Sequence, residues 1–114
     1  MRKIAFIATL VLAGCVGPND APTESARFRG NYRVIADCAY PKVYPVGVSQ
    51  VVLESQKTVK LKYEPDGVHI FSMDFVGEGP DVTRVDVRAM GSLVGPKSNA
   101  DYYLSKVALC APRL

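Results

Sequence analysis

The 114-residue chain has no tryptophan, one histidine and three cysteines, and each scarcity narrows what it can do. With His69 alone, a histidine-based hydrolase or a metal centre has little to build on, since a metal site needs three or four ligands. None of Ser49, Ser55, Ser72, Ser92, Ser98 and Ser105 sits in the Gly-x-Ser-x-Gly context of an activated serine. The cysteines form no Cys-x-x-Cys pair, which removes the usual redox and zinc patterns. Beyond the first dozen residues there is no apolar run near the roughly 20 residues that a membrane-spanning helix requires. Charge of one sign is also scarce, with 14 basic side chains facing 11 acidic ones.

The N-terminus is the most informative stretch present. Arg2 and Lys3 form a short positive region, and Ile4 to Leu12 is uncharged and apolar, as in the h-region of a signal peptide. Gly17-Pro18-Asn19-Asp20 stops the run well short of a transmembrane span. The tetrapeptide Leu12-Ala13-Gly14-Cys15 resembles the lipobox of bacterial lipoproteins. That resemblance implies removal of residues 1–14 and lipidation of Cys15, with a diacylglyceryl thioether and fatty acyl chains such as palmitate holding the protein at a membrane. Two or more chains suffice for stable anchoring, at about 0.8 kcal/mol per buried methylene. Val16 stands where an Asp tends to retain such proteins in the inner membrane, so the resemblance favours the outer membrane, facing the periplasm.

Loss of Arg2 and Lys3 lowers the formal charge from +3 to +1, and a nucleic-acid partner is therefore not expected. With Cys15 taken by lipid, Cys38 and Cys110 remain as an even pair in an oxidising compartment, where a disulfide is the natural state.

Residues 15–27 are polar, contain two prolines and lack apolar periodicity, which predicts a flexible tether ahead of a single domain over 28–114. Asn31 is placed to cap a helix from Tyr32, with Ile35, Ala36 and Ala39 at helical spacing and Cys38 in its last turn. Tyr32, Val34, Ala36 and Cys38 also alternate, so a strand over 32–39 competes. Tyr40-Pro41-Lys42-Val43-Tyr44-Pro45 reads as a loop or extended crossing. From Val48 onward the period becomes two, and four strands are predicted over Gln50–Glu54, Thr58–Tyr63, Val68–Val76 and Val82–Met90. A final helix is predicted from a cap at Ser98, ending before Pro112. The expected fold is α+β: a four-stranded antiparallel meander with two helices on one face, linked by the disulfide. If 32–39 is a strand, an all-β sheet or small open barrel with a C-terminal helix results instead.

Candidate chemistry is thin. His69 reads as a packed sheet residue, and the Glu78/Asp81 carboxylates occupy a Gly-Pro turn rather than an acid–base site. No enzyme activity and no cofactor or metal are expected. Two surfaces are candidates for binding: a basic strip of Lys60, Lys62, Arg84 and Arg88, suited to anionic groups, and the rigid aromatics Tyr40 and Tyr44, suited to protein contacts. The expected role is a non-enzymatic binding or structural module of the envelope, with another envelope protein or peptidoglycan as partner. The layout is also similar to that of the membrane-bound lysozyme inhibitors, lipobox proteins of this size with a disulfide-linked β domain. That likeness implies inhibition of a cell-wall lytic enzyme, although Pro65-Asp66-Gly67-Val68 lacks the serine and tyrosine of their Ser-Gly-x-x-Tyr segment. An edge strand at 50–54 offers pairing to another chain.

Overall fold

Alternation of apolar and polar residues sets the sheet. In the computed structural model, which describes residues 21–43, 47–90 and 95–114, five strands form: β1 (Glu24–Arg29), β2 (Ser49–Leu53), β3 (Thr58–Tyr63), β4 (Phe71–Gly79) and β5 (Val82–Ala89). All pair antiparallel in the order β1-β5-β4-β3-β2. The four-stranded sheet expected from the sequence is thus corrected to five strands. The added strand begins at Glu24, within the stretch read as tether. Of its six residues only Ala26 and Phe28 are apolar and buried, so its own pattern is weak. Pairing with β5 along its whole length supplies what periodicity does not.

One face of the sheet is dry. Phe28, Val59, Leu61, Phe71, Met73, Phe75, Val85 and Val87 share it, and all are fully buried. Helix α1 (Tyr32–Ala39) and helix α2 (Pro96–Val107) cover this face, α1 over β3 and β4 and α2 over β5 and β1. The reading of 32–39 as a strand, and with it the all-β or barrel alternative, falls away. Asn31 caps α1 by accepting from the Arg33 and Val34 amides at 2.9 and 3.4 Å, and Ile35, Ala36 and Ala39 face the core. Helix α2 starts before the predicted cap, at Pro96, whose fixed φ suits a first helical position and whose missing N–H costs nothing there. It buries Ala100, Leu104 and Val107, and Tyr103 stacks on Phe71 with ring centroids 4.1 Å apart.

Two junctions depend on glycine. Gly30 turns from β1 into α1 at φ +141°, and a Cβ there would stand 3.0 Å from Ile35 Cδ1. At Gly77 a Cβ would stand 2.9 Å from the Tyr32 ring, so the start of α1 lies directly on β4. Past Gly77 the β4–β5 register shifts, with Gly77 opposite Thr83 and Gly79 opposite Val82. Glu78 is the extra residue of this bulge.

Cys38 and Cys110 form a disulfide across 72 residues of sequence, joining the last turn of α1 to the segment after α2. The chain then runs back along β1: the Arg29 amide donates to the Pro112 carbonyl at 2.9 Å and the Leu114 amide to the Arg27 carbonyl at 2.9 Å. This strap closes the outer edge of β1 through a bridge between Phe28 and Arg113. Closing a loop of this length removes about 4 kcal/mol of unfolded-state entropy in the chain-entropy account, a large share of the 5–15 kcal/mol typical of a domain. Accordingly, Cys38→Ala/Cys110→Ala is expected to lose about 4 kcal/mol in urea unfolding; a loss below about 1 kcal/mol would show that the link adds little. Phe28→Ala tests the added strand, with an expected loss of about 3–5 kcal/mol in the same measurement.

Candidate functional site

The second face of the sheet carries the charges. Lys60, Lys62, Arg84 and Arg88 come together on it as the alternation requires, but the acids that interleave them change its character. Asp74 lies between Lys60 and Arg88, at 2.9 and 3.1 Å. Arg84 is held by Glu78 at 2.8 Å and by Asp86 at 3.0 Å, and Arg27 reaches Glu78 at 2.6 Å. Lys62 pairs with Glu64 at 3.5 Å. The strip is therefore a lattice of alternating sign rather than a basic patch. Arg27 and Asp74 escaped the sequence reading because one lies on the unrecognised strand and the other on the polar parity of β4; Glu78 was read only as a turn residue.

The lattice is partly removed from water. The side chains of Asp86, Arg88 and Asp74 are only 10%, 13% and 16% exposed. Asp74 and Asp86 are directly opposed across β4 and β5, an arrangement that repels unless each carboxylate has its own cations. Lys60 and Arg88 serve Asp74, while Arg84 and the Ser25 hydroxyl, donating at 2.7 Å, serve Asp86. The Arg27 hydrogen bond, helped by Arg84, holds the Glu78 carboxyl below the usual carboxylate range. Such a group is ionised at neutral pH and is no reservoir for a transferable proton.

The other candidate residues disperse. Asp81 pairs with Arg29 at 3.3 Å on the surface, away from Glu78's partners. His69 is buried just before β4. Tyr40 donates its hydroxyl to the Val48 carbonyl at 3.0 Å, which ties the end of α1 to the approach to β2. Tyr44 and Cys15 lie outside the described residues. Pro65–Gly67 is a short 3-10 turn with Asp66 at φ +53°, and Val68 beside it is exposed.

A cleft of about 390 Å³ opens between the first turn of α1 (Asn31, Tyr32, Arg33), the β2–β3 connection (Glu54, Lys57) and the β4–β5 turn (Gly79, Pro80). Arg33 and Glu54 pair across it at 3.2 Å. Its lining can hold a small polar group against the Tyr32 ring, but contains no nucleophile with an adjacent base. Neither His69 nor the Glu78/Asp81 pair lines it. Among the described residues no group of three or more His, Cys, Asp or Glu is disposed to hold a metal, and no helix is long and apolar enough to cross a membrane. Comparison with family models, curated proteins and solved structures finds no match to this chain.

Two expectations follow for the lattice. Arg84→Met takes a cation from Asp86 and Glu78 and is expected to destabilise the fold by about 1–2 kcal/mol; the double variant Arg84→Met/Asp86→Asn should recover most of that loss in urea unfolding. For Glu78, the lowered folded-state pKa means its stabilisation is complete above the ordinary carboxylate range and is lost as pH falls through the folded value. The stability difference between wild type and Glu78→Gln should accordingly be largest at neutral pH and vanish in acid. A difference that persists unchanged in strong acid would show that the ion pair is not its source.

Proposed function

We propose that this chain is a lipid-anchored lipoprotein of the bacterial envelope whose folded domain acts as a non-enzymatic binding or structural module. One observation carries the reading: the disulfide uses Cys38 and Cys110, leaving Cys15, at the end of a lipobox-like tetrapeptide, as the one remaining cysteine of three. A disulfide fits an oxidising compartment, and a lipobox leads there. The polar stretch after Cys15 is now shorter, because β1 begins at Glu24, which brings the sheet close to the anchor. Residues 16–23 reach about 28 Å when fully extended.

The domain offers partners surfaces rather than a reaction centre. Its charged face is internally paired, so an anionic partner must compete with Asp74, Glu78 and Asp86 for the cations. The cleft beside Tyr32 and the open edge of β2 are less committed. An envelope protein or peptidoglycan remains the partner class that the anchoring favours.

Mass spectrometry of the N-terminal peptide from membrane-extracted protein tests the anchor. Cys15 is expected as the first residue, carrying a diacylglyceryl thioether and an amide-linked acyl chain, and Cys15→Ser is expected in the soluble fraction. An N-terminus elsewhere, with an unmodified Cys15 thiol, contradicts the proposal.

A further inference from the structure

The two edges of the sheet differ. β1 is covered by the strap Pro112–Leu114, whereas β2 pairs only with β3 and lies at the end of the strand order. Its outward N–H and C=O groups have no backbone partner among the described residues. Natural sheets blunt such an edge with lysine, proline, a bulge or a covering segment. Ser49-Gln50-Val51-Val52-Leu53 has no charge, no proline and no bulge, and Val51 and Val52 are 39% and 37% exposed.

We propose that β2 is a self-association edge, pairing antiparallel with β2 of a second copy about a two-fold axis at Val51 to give a continuous ten-stranded sheet. The strand is complementary to itself in that register. Val51 meets its own counterpart, Gln50 faces Val52, and Ser49 faces Leu53, so no charge opposes a like charge within the paired segment. Lys60, beside Val51 on β3, ends three strand spacings from its counterpart, about 14 Å. That exceeds the Debye length of about 8 Å at physiological salt, and Asp74 already pairs with Lys60 at 2.9 Å. Because the strap closes β1, each copy has one open edge among its described strands. Association therefore stops at two copies instead of propagating as a filament.

Two five-residue strands exchange few hydrogen bonds and bury little area, so the pair is weak in dilute solution. Confinement at a membrane raises the effective concentration into the millimolar range. This last step rests on the proposed anchor; the pairing itself does not, and the test separates them by using both soluble and vesicle-bound protein.

Single cysteines introduced into the Cys15→Ser chain report the geometry. Under mild oxidation at about 0.5 mM, Val51→Cys is expected to give at least tenfold more disulfide-linked dimer than Val68→Cys, a more exposed position off the edge. Ser49→Cys should link to Leu53→Cys but not to itself, since two Ser49 positions lie about 13 Å apart in this register. Val51→Lys places two ammonium groups face to face and should weaken self-association about fivefold or more in sedimentation. Equal yields from Val51→Cys and Val68→Cys overturn the proposal, as does a dimer that Val51→Lys leaves unchanged. So does capture of a different envelope protein, in place of its own copy, when Val51→Cys is carried instead on the chain that keeps Cys15 and is recovered in envelope vesicles. Self-linking of the soluble chain, with no membrane recovery of the native one, would support the edge while removing the anchor.

Discussion

The disulfide between Cys38 and Cys110 is the constraint on which the arrangement of this domain depends. Helix α1 has eight residues, too few to persist without tertiary support, and it must carry the chain from β1 at one edge of the sheet to β2 at the other. Anchoring its last turn to the segment after α2 fixes both helices over one face. It also determines where the chain goes after Cys110. Ala111 is buried, and the next three residues lie along β1. One covalent bond thus couples the helix layer to the closed edge of the sheet, while among the described residues β2 at the opposite edge has no second strand neighbour.

The two faces of the sheet solve different problems with the same alternation. On the helix side, Phe28, Phe71, Phe75 and their neighbours exclude water, the Thr83 hydroxyl donates to the Gly30 carbonyl at 2.8 Å, and Gln50 reaches Asp37 at 3.2 Å. On the other side, long cationic side chains lie across the strands and shield the opposed carboxylates of Asp74 and Asp86. Pairing of this kind contributes modestly to net stability, yet it helps fix register, because a one-residue slip of β4 against β5 would set Asp74 opposite Val85 or Val87 and part it from its cations. A face so occupied with its own charges is a poor basic patch.

Much of this was legible in the sequence, where local signals are strong. The Asn31 cap and the spacing of Ile35, Ala36 and Ala39 mark α1; Thr58–Tyr63 alternates cleanly and is β3; and cysteine counting gives the disulfide. β1 was not legible, because Glu-Ser-Ala-Arg-Phe-Arg is a strand by virtue of β5 and the strap, and nothing within the segment announces either. The lattice was visible only in half. Its cations alternate along β3 and β5, but their neutralisation depends on how Asp74 of β4, the bulge at Glu78 and Asp86 of β5 come into register.

The disulfide holds the strap on β1 and thereby closes that edge of the sheet. Amide hydrogen exchange in the oxidised protein and in Cys38→Ala/Cys110→Ala tests it directly, read at Arg29 and Leu114, whose amides bond across that edge. Strong protection is expected at both in the oxidised protein, with its selective loss in the variant, while Val59 and Met73 in the sheet interior stay protected. Equal protection of Arg29 and Leu114 in both proteins would contradict it.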